Sequence, residues 1–209
     1  MKPKESALVF GCASVILSYP EDGFTQDLES ARGGLERLGR SQAKASLSSV
    51  LEWLSEMEVA QAAANYVETF DLQKKRSLHL TYYLYGDTRE RGMALSSLME
   101  AYKASGFTLG QGELPDFLPA LLELAAASPL GREALSNHRV AMTLLHDELR
   151  KAKSPYEMAI AAVLNVVGGT SKTERATALQ IKSRGPLYET VGLEPYVPQQ
   201  AKVEKVEIR

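Results

Sequence analysis

The stretch GELPDFLPALLEL, residues 112–124, constrains the fold most, because its apolar residues keep a strict helical spacing while its head carries two prolines and an acid-rich edge. Leu114, Phe117, Leu118, Leu121, Leu122 and Ala125 fall at i, i+3, i+4, i+7, i+8 and i+11, one stripe of a 3.6-residue helix. Glu113, Asp116 and Glu123 fall on the other side. Proline inside a helix removes a backbone donor and costs roughly 3 kcal/mol, but in the first turn that donor is unpaired anyway. The pattern therefore predicts a helix beginning near Asp116, with Asp116 as N-cap, Pro119 in the first turn and Pro115 holding the incoming chain extended.

Similar helical spacing recurs along most of the chain. Leu8, Cys12, Val15 and Ile16 make one face, stopped by Pro20, and Phe24 to Leu38 reads as a second helix ending at Gly39. Residues 41–70 suit one long helix or two abutting ones, with Trp53 available for their packing. In DLQKKRSLHLTYYLYGDTRERG, residues 71–92, the positions 78, 80, 82 and 84 alternate as in a strand, yet no second convincing strand exists to pair with them. This segment reads as a short helix or an extended connector and a candidate hinge near 71–88. Asp87 with Glu90 offers a capping box for a helix running to Tyr102. Further helices are expected over 130–152, set off from its predecessor by Gly131, and over 155–167. The fold expectation is all-α: one domain of about seven or eight helices over residues 1–185, with a mobile or surface-draped tail over 186–209.

At 209 residues the chain can bury roughly 70% of its unfolded surface without staples. A net charge of −2 gives no general attraction to nucleic acid or acidic lipid. Cys12 is the only cysteine, which excludes an internal disulfide and a cysteine zinc site and fits a reducing cytoplasm. The start, MKPKESALVFGCASVILSYPEDG, imitates a signal peptide, but Glu5 and the following YPED favour a first buried helix. No stretch approaches the roughly 20 apolar residues of a membrane span.

Catalytic chemistry is hard to find. His79, His138 and His146 lack a glutamate three residues ahead, so the Glu-x-x-His metal signature is missing, and they read as ordinary surface or core histidines. GGTSKT, residues 168–173, imitates a phosphate loop, but Ser171 stands where a glycine belongs, and an inter-helix loop is the plainer reading. The basic clusters 74–76 and 89–91 flank Tyr82, Tyr83 and Tyr85, an arrangement that could stack bases, but the interleaved acids Asp71, Asp87 and Glu90 argue against it. No enzyme, metal site, cofactor or nucleic-acid partner is expected. The carboxylates at 113, 116 and 123 suit helix capping and a solvated face. They equally suit an acidic, proline-framed rim for a basic amphipathic peptide.

YVETFDLQKKRSLHLTYYLYGDTRERGMAL followed by GELPDFLPALLELA resembles the central region of the respiratory nitrate reductase assembly chaperones, the delta-subunit or NarJ family. LSYPEDGF at 17–24 and VGLEPYVP at 191–198 resemble that family's two ends, so the likeness spans most of residues 8–198. It implies an all-helical, non-catalytic cytoplasmic chaperone. Such a chaperone binds the N-terminal signal-remnant peptide of the nitrate reductase catalytic subunit and keeps that subunit competent for molybdenum cofactor insertion before membrane docking. Molybdenum cofactor delivery proteins are further candidate partners, and no integral membrane contact is implied. The wider group's acidic motif maps onto Glu113, Pro115 and Asp116, with Phe117 where related chaperones carry histidine. The candidate client-binding set is thus Glu113, Pro115, Asp116, Phe117, Glu123, Tyr82 and Tyr83. The alternatives are a general helical peptide-binding module and a nucleotide-dependent assembly factor.

Overall fold

Residues 3–17 form the first helix, α1 (Pro3–Leu17), in a computed structural model that describes residues 2–110 and 112–184. Pro3 opens it, where a missing N–H costs nothing. Val9, Phe10, Ala13, Ile16 and Leu17 are buried, so the stretch that imitates a signal peptide is a core helix. Its main neighbours are α7 (Leu118–Ala127), α2 (Phe24–Glu36), α3 (Gln42–Ser55) and α10 (Glu157–Val166). Ser14 ties it to α7 by donating to the carbonyl of Pro119 at 3.0 Å. Where α2 crosses α1, a Cβ at Gly34 would lie 3.1 Å from Cys12 Sγ, so glycine allows the close approach.

The described residues contain eleven α-helices, more than the seven or eight expected. The run 41–70 divides into α3 and α4 (Val59–Tyr66), and α4 widens into a π-helical turn, Val67–Asp71. Ser41 caps α3, its Oγ accepting the Lys44 N–H at 3.2 Å. Trp53 packs edge-on against Tyr156 at 5.2 Å and 88°, joining α3 to the head of α10 rather than to α4. A 3-10 turn at Lys74–Arg76, α5 (Leu80–Tyr85) and α6 (Arg89–Ala104) follow. The cap of α6 is Thr88, not Asp87; Thr88 Oγ1 donates to Tyr85 O at 2.9 Å, while Asp87 pairs with Arg91 at 3.5 Å.

The break before α8 (Pro129–Asn137) is made by Ser128, which ends α7 and accepts the Leu130 N–H on its Oγ at 3.2 Å. Gly131, expected as the divider, sits inside α8, where a Cβ would lie 2.5 Å from the Leu124 backbone. Gly131 is therefore a contact point between α7 and α8. His138 separates α8 from α9 (Arg139–Lys151), its ring bonded to Ala134 O at 2.8 Å. After α10 the GGTSKT loop leads into α11 (Lys172–Arg184) through a capping box. Glu174 accepts the Ser171 N–H at 2.8 Å, and Ser171 Oγ accepts the Glu174 N–H at 3.1 Å. No helix among the described residues is long and apolar enough to cross a membrane. The tail expected from residue 186 lies outside the described residues.

Candidate functional site

The strand-like alternation at 78–84 has a partner that local sequence hides. Leu118 N–H donates to Leu78 O at 2.9 Å and Leu80 N–H to Asp116 O at 3.1 Å, forming an antiparallel bridge between His79 and Phe117. The bridge extends no further because α5 starts at Leu80 and α7 at Leu118.

This pairing carries Asp116 inside. Its side chain is fully buried, and it does not cap α7, whose N-cap is Phe117. Asp116 instead accepts the Thr81 N–H at 3.2 Å, in the first turn of α5, together with the Thr81 hydroxyl. The capping chemistry expected of Asp116 is present, but it serves a helix 35 residues earlier in the chain. His79 Nδ1 lies 3.0 Å from Asp116 Oδ1, and Arg91 Nη2 lies 3.7 Å from Oδ2. Arg91 also donates through Nε to Thr81 Oγ1 at 3.2 Å and lies 5.8 Å from the centre of the Tyr82 ring. Burial alone would raise the Asp116 pKa. The hydrogen bonds from His79 and Thr81 and the charges of His79 and Arg91 outweigh it and hold the carboxyl below its ordinary 3.8.

In front of this cluster lies a cleft of about 370 Å³. Its walls are aromatic, from Tyr66, Phe70, Tyr82 and Phe117, with Asp71, Lys74, His79, Asp87 and Arg91 as polar groups. The π-helical turn brings Phe70 and Asp71 into it, and Arg76 staples that turn through Nε to Thr69 O at 2.7 Å and Nη2 to Glu68 O at 3.2 Å. Tyr19 stacks edge-on upon Tyr66 at 5.4 Å and is 48% exposed, continuing the aromatic surface outside the cleft. Such a site, concave and walled by aromatic rings interleaved with charged and polar groups, suits an apolar side chain flanked by polar ones. Arg76 and Arg91 both bond inward, which weakens the base-stacking reading of the two basic clusters.

The seven candidate residues do not form one surface. Phe117 and Tyr82 line the cleft, with Asp116 behind them and Pro115 buried beside it. Tyr83 turns away, its hydroxyl 2.9 Å from Ser77 O and 3.1 Å from Lys75 O, and burial raises its pKa. Glu113 and Glu123 are exposed and do not line the cleft. Glu123 accepts a bond from Ser14 Oγ at 3.2 Å. Both carboxylates act on Tyr102, whose phenol pKa is raised first by burial and then by Glu113, Glu123 and Asp116. His79, Thr81, Phe70 and Arg91 were not legible as site residues, since their roles depend on long-range pairing. The alternating pattern at 78–84, unmatched by any other strand, was the available signal.

Among the described residues no three His, Cys, Asp or Glu side chains converge as a metal site. Cys12 is buried, its thiol 3.3 Å from Ala31 O, and burial pushes its pKa up to about 11.

An all-α domain whose aromatic cleft is organised by a buried aspartate bonded to a half-buried histidine and arginine is the class that these features define. The chain belongs to the nitrate reductase delta subunit family, whose pattern its residues 37–162 match. It is 30% identical over 172 residues to the probable nitrate reductase molybdenum cofactor assembly chaperone NarJ of Bacillus subtilis, covering 79% of this chain and 94% of that protein. Against NarJ of Escherichia coli K12, named as a nitrate reductase molybdenum cofactor assembly chaperone, it is 31% identical over 73% of this chain and 66% of the relative. Against the nitrate reductase-like protein NarX of Mycobacterium tuberculosis the identity is 37% over 75% of this chain, which spans only 24% of that longer protein.

Proposed function

We propose that this chain is a non-catalytic assembly chaperone for nitrate reductase. It binds the N-terminal signal-remnant peptide of the catalytic subunit in the cytoplasm and keeps that subunit open for molybdenum cofactor insertion before membrane docking. The observation that carries the reading is the match to 94% of the Bacillus subtilis relative that bears such a name. The aromatic cleft supports it, because Tyr82, Phe117, Tyr66 and Phe70 offer a seat for apolar side chains of an amphipathic peptide. Glu113 and Glu123, exposed and with no ion pair among the described residues, meet the peptide's basic side chains. Asp116 has a different part in this reading. Its charge is used internally, so it organises the cleft wall by holding His79, Thr81 and Arg91 in place.

Calorimetric titration with a synthetic N-terminal peptide of the host's nitrate reductase catalytic subunit tests the proposal. Saturable one-to-one binding that weakens with salt is expected, and a scrambled peptide is the control. A folded chain that binds neither peptide would end the signal-reading proposal.

A further inference from the structure

A second cavity, of about 390 Å³, lies between α9, α10 and α11, away from the aromatic cleft. That volume falls within the roughly 300–1,000 Å³ of small-molecule sites. Leu144 and Leu164 give it an apolar floor, and Leu179, 65% exposed, overhangs the opening. Its charged wall is mainly cationic: Arg150 comes from α9, and Arg175 and Lys182 come from α11. Asp147 is the one carboxylate lining it among the described residues. That carboxylate is already attended by Lys182 at 3.5 Å, Arg150 at 3.7 Å and His146 at 3.8 Å. Neighbouring Glu148 is likewise engaged by Lys151 at 2.6 Å and Lys182 at 3.5 Å, and the other nitrogen of His146 by Glu157 at 2.9 Å.

Arg175 is different. It lines the cavity, is exposed, and has no ion pair among the described residues. Lys182 and Arg150 are already paired with carboxylates, so the Arg175 guanidinium is the one lining cation without an ion pair among the described residues, and it leaves the cavity with a local positive charge. The guanidinium fork matches phosphate oxygens in two-point contact. Gly169 and Thr170 of the GGTSKT loop form part of the wall, with the Thr170 and Thr143 hydroxyls 2.7 Å apart as additional polar groups. We propose that this cavity binds a small organic phosphate, the phosphate held by Arg175 with Lys182 and Arg150 and the organic body lying on Leu144, Leu164 and Leu179. The site shares no lining residue with the aromatic cleft.

The test is titration of the full chain at low ionic strength, by calorimetry and phosphorus NMR, with AMP, pyrophosphate and inorganic phosphate as probes. AMP should saturate at one per chain and bind more tightly than inorganic phosphate. Arg175→Ala should weaken AMP at least tenfold, Arg175→Lys should restore part of the loss, and Lys4→Ala, an exposed cation on α1, should change nothing. Because the Arg175 side chain has no ion-pair partner among the described residues, an unchanged melting temperature separates binding from folding. Absence of saturable binding for all three probes, or an Arg175→Ala affinity within twofold of the parent, would overturn the site. Equal affinity for AMP and inorganic phosphate would overturn the placement of the organic body.

Discussion

His79 and Asp116 stand 37 residues apart in sequence and 3.0 Å apart in space, with the imidazole partly exposed at the cleft and the carboxylate fully buried behind it. The carboxyl sits below its ordinary 3.8 in the folded chain despite burial, so the unfolded chain binds its proton more readily. The stabilisation from Asp116 is therefore full above the unfolded pKa of about 3.9 and is lost as pH falls through the lower folded value. Glu148 adds in the same direction, where burial is outweighed by Lys151 and Lys182. Glu174 does too, held down first by the Ser171 N–H and then by Arg139. Urea unfolding at a series of pH values should show stability falling steeply below about pH 4. In an Asp116→Asn variant the fall should be shallower.

Asp116→Asn should itself be costly near neutral pH. The amide can still accept from Thr81, but the charge opposite Arg91 is gone, and a buried ion pair broken on one side typically costs about 3–5 kcal/mol. Arg91 keeps Asp87 at 3.5 Å and some solvent, so a loss of roughly 2 kcal/mol is expected for Asn and about 3 kcal/mol for Ala, read from chemical denaturation. A loss below about 1 kcal/mol would be that of an ordinary cap and would contradict the cluster's role.

What the sequence made legible was governed by local rules. The helical period identified α1, α2, α7 and α10, and the prolines located the head of α7 to within two residues. What stayed hidden was set by distant partners. Asp116 has the chemistry of a cap, but which helix it caps depends on the bridge to His79. Gly131 marks a boundary by propensity, yet its position is dictated by the Leu124 backbone against it. Tyr82 and Tyr83 are identical and adjacent in sequence, and the helical rotation of about 100° per residue sends one to the cleft and the other to the Ser77 carbonyl.

Gly131→Ala tests the packing of α8 on α7. In an exposed helix the substitution would gain up to about 1 kcal/mol in propensity. Here the new Cβ would lie 2.5 Å from both Leu124 C and O, which are backbone atoms and cannot rotate away. The two helices must separate, and a net loss of about 2 kcal/mol in unfolding free energy is expected.

Cys12 supplies a probe of global opening. With its pKa near 11, about one thiol in a thousand is ionised at pH 8, and the sulfur lies under α2. Modification by a thiol reagent should be slow in the native chain and rise to the rate of a free cysteine in denaturant. Rapid native labelling at pH 8 would mean that α1 and α2 separate readily.

Glu113 and Glu123 give the most direct test of how a client peptide is held. Neither contacts the Asp116 cluster, and among the described residues the side-chain partner of Glu123 is Ser14 at 3.2 Å. Glu113→Gln with Glu123→Gln should therefore leave the melting temperature nearly unchanged, because exposed single contacts are worth about 0–1 kcal/mol to folding. The same double variant should weaken the client peptide and flatten the salt dependence of its binding, since removing two negative charges removes the screened part of the attraction. Phe117→Ala, in the cleft, should weaken binding with the salt dependence intact. If the double variant bound like the parent at both salt concentrations while Phe117→Ala lost affinity, recognition would rest on the aromatic cleft alone and the acidic rim would have no part in it.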